Sequence, residues 1–222
     1  RAVPGEITLA HRGVLFLDEF PEFDRRSLEG LREPLERGEV SVVRVHYRVR
    51  FPSRFLLVAA MNPCPCGHRG AGGPDCDCTP PARERYRARV SGPLLDRIDL
   101  QVRVPAVAAD ALAAAGPPGP PSASLRAVVS RVRAIQRARG ALNSTLDLDA
   151  LDRLAPLDRA GEAFLRKATS RMHLSARAHV RLRRLARTIA DVDGAEAVSE
   201  AHLKEAVSYR LEAEGEPTAA LA

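Results

Sequence analysis

The amino-acid sequence predicts an α/β fold with a parallel sheet, followed by a smaller all-α domain. Two short, nearly continuous apolar runs, 13–18 and 54–61 (RFLLVAAM), have the composition of parallel strands covered on both faces. Between them, VSVVRVHYRVRF (40–51) is rich in β-branched residues. It alternates polar with apolar after Val43, which marks a hairpin with its tip near Arg44–Tyr47. Beyond residue 124 the apolar period changes from that of strands to that of helices.

Taken in order, the first strand is followed by SLEGLREPLERG (27–38), which reads as a helix ending at Gly38, with Pro34 kinking or breaking it. The hairpin and the second strand come next, and residues 1–105 form the α/β part. An Ala/Pro-rich stretch, 106–123, reads as a linker. Residues 124–214 form the helical domain. Its first helix carries Leu125, Val128, Val129, Val132 and Ile135 on one stripe, with Arg126, Arg133 and Arg137 off it. A second helix starts near Ser175, a good N-cap, and stops near Gly194, and a third runs from Ser199 to about Leu211. Residues 215–222 are expected to be a disordered tail.

The totals bound the function. The 222 residues are 45% apolar, ample for a core, and no apolar run approaches the roughly 18 residues of a membrane span. No signal-peptide pattern opens the chain, so the cytoplasm is the expected compartment. The abrupt start near a strand suggests a piece of something longer. Net charge is +6, and Lys167 and Lys204 are the only lysines. A GC-rich coding bias explains arginine in place of lysine but not the surplus itself, which suits nucleic acid or another polyanion.

Chemistry gathers where the apolar runs end. Asp18 and Glu19 close the first strand and Asn62 closes the second, in MNPCPCG. Open parallel sheets bind ligands beyond the carboxyl ends of their strands. Two carboxylates and an amide there suit phosphoryl transfer: one carboxylate for Mg²⁺, one to activate water, the amide to fix that water or the γ-phosphate. The competing reading is that the acids only cap the next helix and Asn62 only makes a turn before Pro63.

The four cysteines, Cys64, Cys66, Cys76 and Cys78, all fall within CPCGHRGAGGPDCDC. The C-x-C…C-x-C pattern can offer four thiolates to a structural, tetrahedral Zn²⁺, with His68 as a substitute ligand. Free thiols or disulfides remain the alternatives, disulfides being the less expected in a cytosolic protein.

The ordered set GEITLAHRGVLFLDEFPEF, LREPLERGEVSV, FLLVAAMNPCPCG, SGPLLDRIDL and LSARAHVRLRRLARTIAD resembles the magnesium-chelatase-like AAA+ ATPases, in their ComM/YifB branch, kin to MCM helicases. The resemblance implies a partial AAA+ P-loop core with a pre-sensor-1 hairpin, followed by a helical lid. It makes Asp18 the Walker B ligand of Mg²⁺ and Glu19 the catalytic base on ATP. It also makes Asn62 sensor 1, Arg97 the arginine finger toward a neighbouring subunit, and Arg177 the lid's sensor 2. For Arg97 the plain alternative is a salt bridge to Asp96 or Asp99, and for Arg177 a solvated helix arginine. In ring helicases the hairpin projects into the central channel, so Arg44, Tyr47 and Arg48 are expected to contact DNA. Otherwise the same arginines would simply discourage edge-to-edge aggregation. A ring, expected to be a hexamer, follows from a finger acting across a subunit boundary.

No G-x-x-x-x-G-K-[ST] loop occurs in these residues. The family carries it upstream, so the chain alone is expected to be inactive. The implied function is an ATP-driven DNA motor in recombination of incoming DNA. A chelatase-type motor subunit and a non-catalytic, basic, zinc-stapled scaffold are the alternatives.

Overall fold

The computed structural model describes residues 3–45, 47–69, 75–105, 107, 119–172 and 174–211. They fall into two compact units, Arg1–Ile98 and Asp99–Ala222.

In the first unit, helix α1 (Glu6–Leu9) precedes strand β1 (Val14–Leu17). Helices α2 (Arg25–Gly30) and α3 (Arg32–Arg37), the hairpin β2 (Glu39–Arg44) and β3 (Tyr47–Pro52), and strand β4 (Leu56–Ala59) follow. Helices α4 (Pro80–Arg87) and α5 (Gly92–Leu95) complete it. β1 and β4 pair in parallel, from Val14 with Leu56 to Leu17 with Ala59. A parallel pair needs a crossover, and α2, α3 and the hairpin supply it.

The single helix expected over 27–38 is two helices. The break falls at Leu31, between α2 and α3, and not at Pro34. Pro34 occupies the first turn of α3, where its missing N–H has no intrahelical partner to lose. Gly38 ends α3 in the left-handed region, as expected, and a Cβ there would lie 2.8 Å from Arg54 Cγ. The hairpin pairs from Glu39 with Pro52 to Arg44 with Tyr47 at its end. His46 lies outside the described residues.

A second difference concerns cover. Leu15 and Leu17 face a core of Phe20, Leu28, Leu31, Val90 and Leu94. On the other face of the pair, Val14 (58%), Phe16 (58%), Leu56 (61%) and Val58 (40%) are exposed. The expectation of a sheet covered on both faces therefore fails among the described residues. The helices whose side chains form this core bury one face of the two strands.

The second unit is all helical: α6 (Ser122–Ala138), α7 (Leu148–Leu154), α8 (Arg159–Arg171), α9 (Ala176–Asp193) and α10 (Glu200–Leu211). α6 begins three residues earlier than the sequence suggested. Val132 of its apolar stripe is buried, but Leu125, Val128 and Val129 are exposed, so the buried residues of α6 lie in its carboxyl half. α7 and α8 were not anticipated. Ser175 caps α9 by accepting from the Ala178 N–H at 3.2 Å, and left-handed Gly194 ends it, both as expected. Leu151, Phe164, Leu165, Leu182, Leu203 and Val207 form the core with Ala168, Ala186, Ala190 and Ala206. A Cβ on Gly161 would meet the Val198 carbonyl at 2.9 Å, so α8 reaches its neighbour only with glycine there. Of the expected linker, Val107 and residues 119–123 are described, with 122 and 123 already in α6, and the rest lies outside the described residues, as does the tail.

Two arginines of α9, Arg183 and Arg187, are buried. Arg183 reaches Asp152 at 2.6 Å. Asp191, 1% exposed, accepts from Arg187 Nε at 3.1 Å, from Asn143 Nδ2 at 2.7 Å and from Arg139. Burial alone would raise the Asp191 carboxyl, but Arg139, Asn143 and Arg187 hold it below its ordinary 3.8. A depressed carboxyl adds stability that is present above the unfolded value and lost as pH falls through the folded one. Acidification from about pH 4 downward should therefore loosen this unit in denaturation midpoints read against pH. Asp191→Ala, which leaves buried Arg187 unpaired, should cost about 3–5 kcal/mol and flatten that acid limb.

Candidate functional site

The carboxyl edge of the β1/β4 pair is held by two bonds beyond the ladder. Ala60 N–H donates to the Leu17 carbonyl, and Phe20 N–H donates to the Ala60 carbonyl, both at 2.9 Å. The Phe20 side chain is buried below this point. The chain between Leu17 and Phe20 is thus pinned at both ends against one residue of the neighbouring strand. It has room only for a tight turn, and Asp18 and Glu19 form it with both residues exposed.

Glu19 is left-handed, with φ 48 and ψ 43, and its N–H donates to Asp18 Oδ1 at 2.9 Å. This conformation costs a non-glycine residue about 1 kcal/mol or more. The surrounding pins keep it in place. No basic side chain pairs with either carboxylate among the described residues. Oxygen donors of this kind suit a hard cation such as Mg²⁺.

Asn62 follows Ala60 by two residues and is exposed at the same edge. Its backbone N–H faces the hydroxyl of buried Tyr86, on α4, whose pKa is raised by burial and by Glu22. Gly67, left-handed at φ 80, turns the loop back, and a Cβ there would lie 3.9 Å from Asn62 Cγ. The structure therefore brings Asp18, Glu19 and Asn62 to one edge. Tyr86 and Gly67 support Asn62 and were not picked out from the sequence: nothing near Tyr86 hints at a partner 24 residues away, and Gly67 reads only as an ordinary loop glycine.

The cysteines converge. The sulfurs of Cys64, Cys66, Cys76 and Cys78 all lie within 4.8 Å of one another, and none is in a disulfide. Cys64 to Cys66 is 3.4 Å, and Cys66 to Cys76 and Cys76 to Cys64 are each 3.6 Å. Four sulfurs bound at 2.3 Å to one tetrahedral ion stand about 3.8 Å apart. The set therefore fits such an ion closely. His68 is not part of it. The protons are unevenly held. Burial pushes the Cys64 thiol up, but the Arg69 N–H, the neighbouring thiols and the Gly67 N–H bring it to about 6. Hydrogen bonding to Cys66 is the main reason Cys78 rises to about 12.

The arginines are placed differently. Arg97, just after α5, is buried: it donates to the Pro93 carbonyl at 2.6 Å and pairs with Glu36 of α3. Asp99, one of the two acids weighed as its partner, bonds Arg181 at 2.8 Å. Glu36 was missed because its only signal was a place in LREPLERG. Arg177 is exposed in the first turn of α9, where the helix dipole disfavours a cation and leaves it suited to an anion. Arg48 is exposed on β3, one step from the register pair Arg44 and Tyr47.

A parallel pair presenting two acids and an amide at its carboxyl edge, with helices on one face, is an α/β arrangement consistent with a fragment of an AAA+ domain. Comparison with known families agrees. The model for magnesium chelatase, subunit ChlI, matches residues 1–112, and that for the ChlI C-terminal region matches 119–210. The chain belongs to this magnesium-chelatase-like family, in its ComM/YifB group. It is 45% identical over 208 residues to competence protein ComM of Haemophilus influenzae, covering 93% of this chain and 40% of that protein. It is 44% identical over 209 residues to the uncharacterized protein YifB of Escherichia coli, with 93% and 41% covered. An uncharacterized protein of Mycobacterium tuberculosis is 38% identical over 212 residues, with 94% and 42% covered. The chain spans about two fifths of the length of these relatives. No helix among the described residues is long and apolar enough to cross a membrane.

Glycine accepts the left-handed region without strain but is more flexible when unfolded. Glu19→Gly should accordingly leave the first unit as stable as before or up to about 1 kcal/mol more stable in urea denaturation. Loss of stability would mean that the carboxylate holds the turn.

Proposed function

We propose that this chain carries the catalytic edge of the nucleotide site in an AAA+ ATPase that works on DNA. The protein would act in the cytoplasm as a homo-oligomeric ring, a hexamer in the simplest arrangement. The observation that carries the reading is the pinned turn that sets Asp18 and Glu19 beside Asn62 on paired parallel strands. ATP with Mg²⁺ fits two exposed acids that have no cation partner among the described residues.

Asp18 holds Mg²⁺, which when bound offsets charge developing on the γ-phosphate. Glu19 accepts a proton from the attacking water, and the Asn62 amide orients that water or the phosphate. Arg97 serves the neighbouring subunit's nucleotide only by leaving Glu36. Arg177 offers a second cation from the helical unit, read as the lid. Arg44 and Arg48 at the hairpin grip phosphates without reading bases, and Tyr47 stacks on a base. The four cysteines hold a structural Zn²⁺.

The 222 residues contain no G-x-x-x-x-G-K-[ST] loop, so turnover is expected only together with one. Similarity to a competence protein supports a role as a helicase driving branch migration during natural transformation. The description of the matching family supports a second reading, a chelatase-type motor that drives metal insertion.

ATP hydrolysis by the full-length protein, with and without single-stranded and branched DNA, tests the proposal. Stimulation by DNA is expected, turnover indifferent to DNA favours the chelatase reading, and no turnover overturns both. Glu19→Gln should retain ATP but slow turnover by about 10²–10⁴-fold. Arg44→Ala should weaken DNA binding uniformly across sequences and reduce its salt slope by about one, measured by titration at several salt concentrations.

A further inference from the structure

The thiolate cluster is built from both flanks of a single loop. Cys64 and Cys66 follow Asn62 at the end of β4, while Cys76 and Cys78 lead directly into α4, whose N-cap is Thr79. α4 in turn carries Tyr86, whose hydroxyl faces the Asn62 N–H. One ion bound by these sulfurs would therefore staple the end of the strand to the start of the helix that abuts Asn62.

Among the described residues, few backbone–backbone bonds order this loop. Between residues 61 and 78 the backbone–backbone bond among the described residues is Gly67 N–H to the Cys64 carbonyl, at 3.0 Å. That bond closes the turn that sets Gly67 against Asn62. Cys64 is 0% exposed, so the staple is anchored in the fold, while the other three cysteines are half-buried. Thiols this close are crowded, and thiolates this close repel one another. A divalent ion removes the repulsion and replaces it with four bonds.

We infer that Zn²⁺ in the Cys64–Cys66–Cys76–Cys78 site positions Asn62 at the sheet edge. The inference rests on reading the cysteines as zinc ligands and Asn62 as part of the nucleotide site. The site is closed, with four protein ligands, and takes no part in chemistry. Its effect passes through Pro63, the one residue between Asn62 and Cys64, and through α4. Metal occupancy thereby becomes a condition for an ordered amide beside Asp18 and Glu19.

The test separates the inference from the reading beneath it. Metal content of the purified chain is measured first, with Co²⁺ substitution to look for thiolate-to-metal absorption of tetrahedral sites. Hydrogen exchange is then followed by peptide in the zinc-loaded chain, the chelator-stripped chain and a Cys78→Ser variant at a half-buried ligand. One Zn²⁺ per chain is expected. Its removal should speed exchange in peptides covering 60–68 by about tenfold or more, with peptides of α9 and α10 unchanged. Stoichiometric zinc with unchanged exchange at 60–68 overturns the inference and leaves the metal site standing. Absence of zinc, together with no thiolate absorption from Co²⁺, overturns both. If stripping unfolds the whole chain, exchange rises in α9 and α10 as well, and a specific role for Asn62 is rejected.

Discussion

The candidate site depends on the pairing of β1 with β4. The ladder from Val14–Leu56 to Leu17–Ala59 is short, and each of its bonds contributes only about 0.5–1.5 kcal/mol net. Its importance lies in register. A slip of one residue would turn Leu15 and Leu17 out of the core and bring Val14 and Phe16 in, and it would also carry Asn62 one step along the edge. The same alternation that buries one face of the strands thus decides which residues emerge together at their ends. Core packing and site geometry are one constraint here.

Much of this edge was legible in the sequence. Unbroken apolar runs ending in Asp-Glu and in Asn say both that strands are buried and that polar groups wait at their ends. What the runs could not say is which face is covered, because exposed Val14 and Phe16 are as apolar as half-buried Leu15 and Leu17. The helical unit was less readable. α7 and α8 start after Asp147 and Asp158, whose side chains accept from Ala150 and Gly161, but α7 is only seven residues long and the charged residues of α8 obscured its apolar period. The Leu31 break hid behind the louder signal of Pro34. The cysteine cluster was visible because spacing alone suggested it. Arg97's partner and Tyr86's neighbour were not, because both arise from pairings far apart in the chain.

The arginine surplus has a structural side that composition conceals. Arg139 and Arg187 converge on Asp191, while Arg187 also donates to the carbonyls of Ala195 and Glu196. A guanidinium can meet a carboxylate and two carbonyls in fixed directions, which a lysine ammonium does less well. These cations are spent inside the second unit. The basic character open to a polyanion accordingly resides on exposed residues such as Arg48.

Arg97 offers a last consequence. Its guanidinium is buried and already has a carboxylate, Glu36, for company. An incoming phosphate would meet an occupied cation, so recruitment would be an exchange of anions. Such an exchange has a small net free energy even when each contact is strong, and it returns readily when the phosphate departs. Under the proposed finger role, an arginine held this way would act as a reversible relay, with α3 as its resting contact.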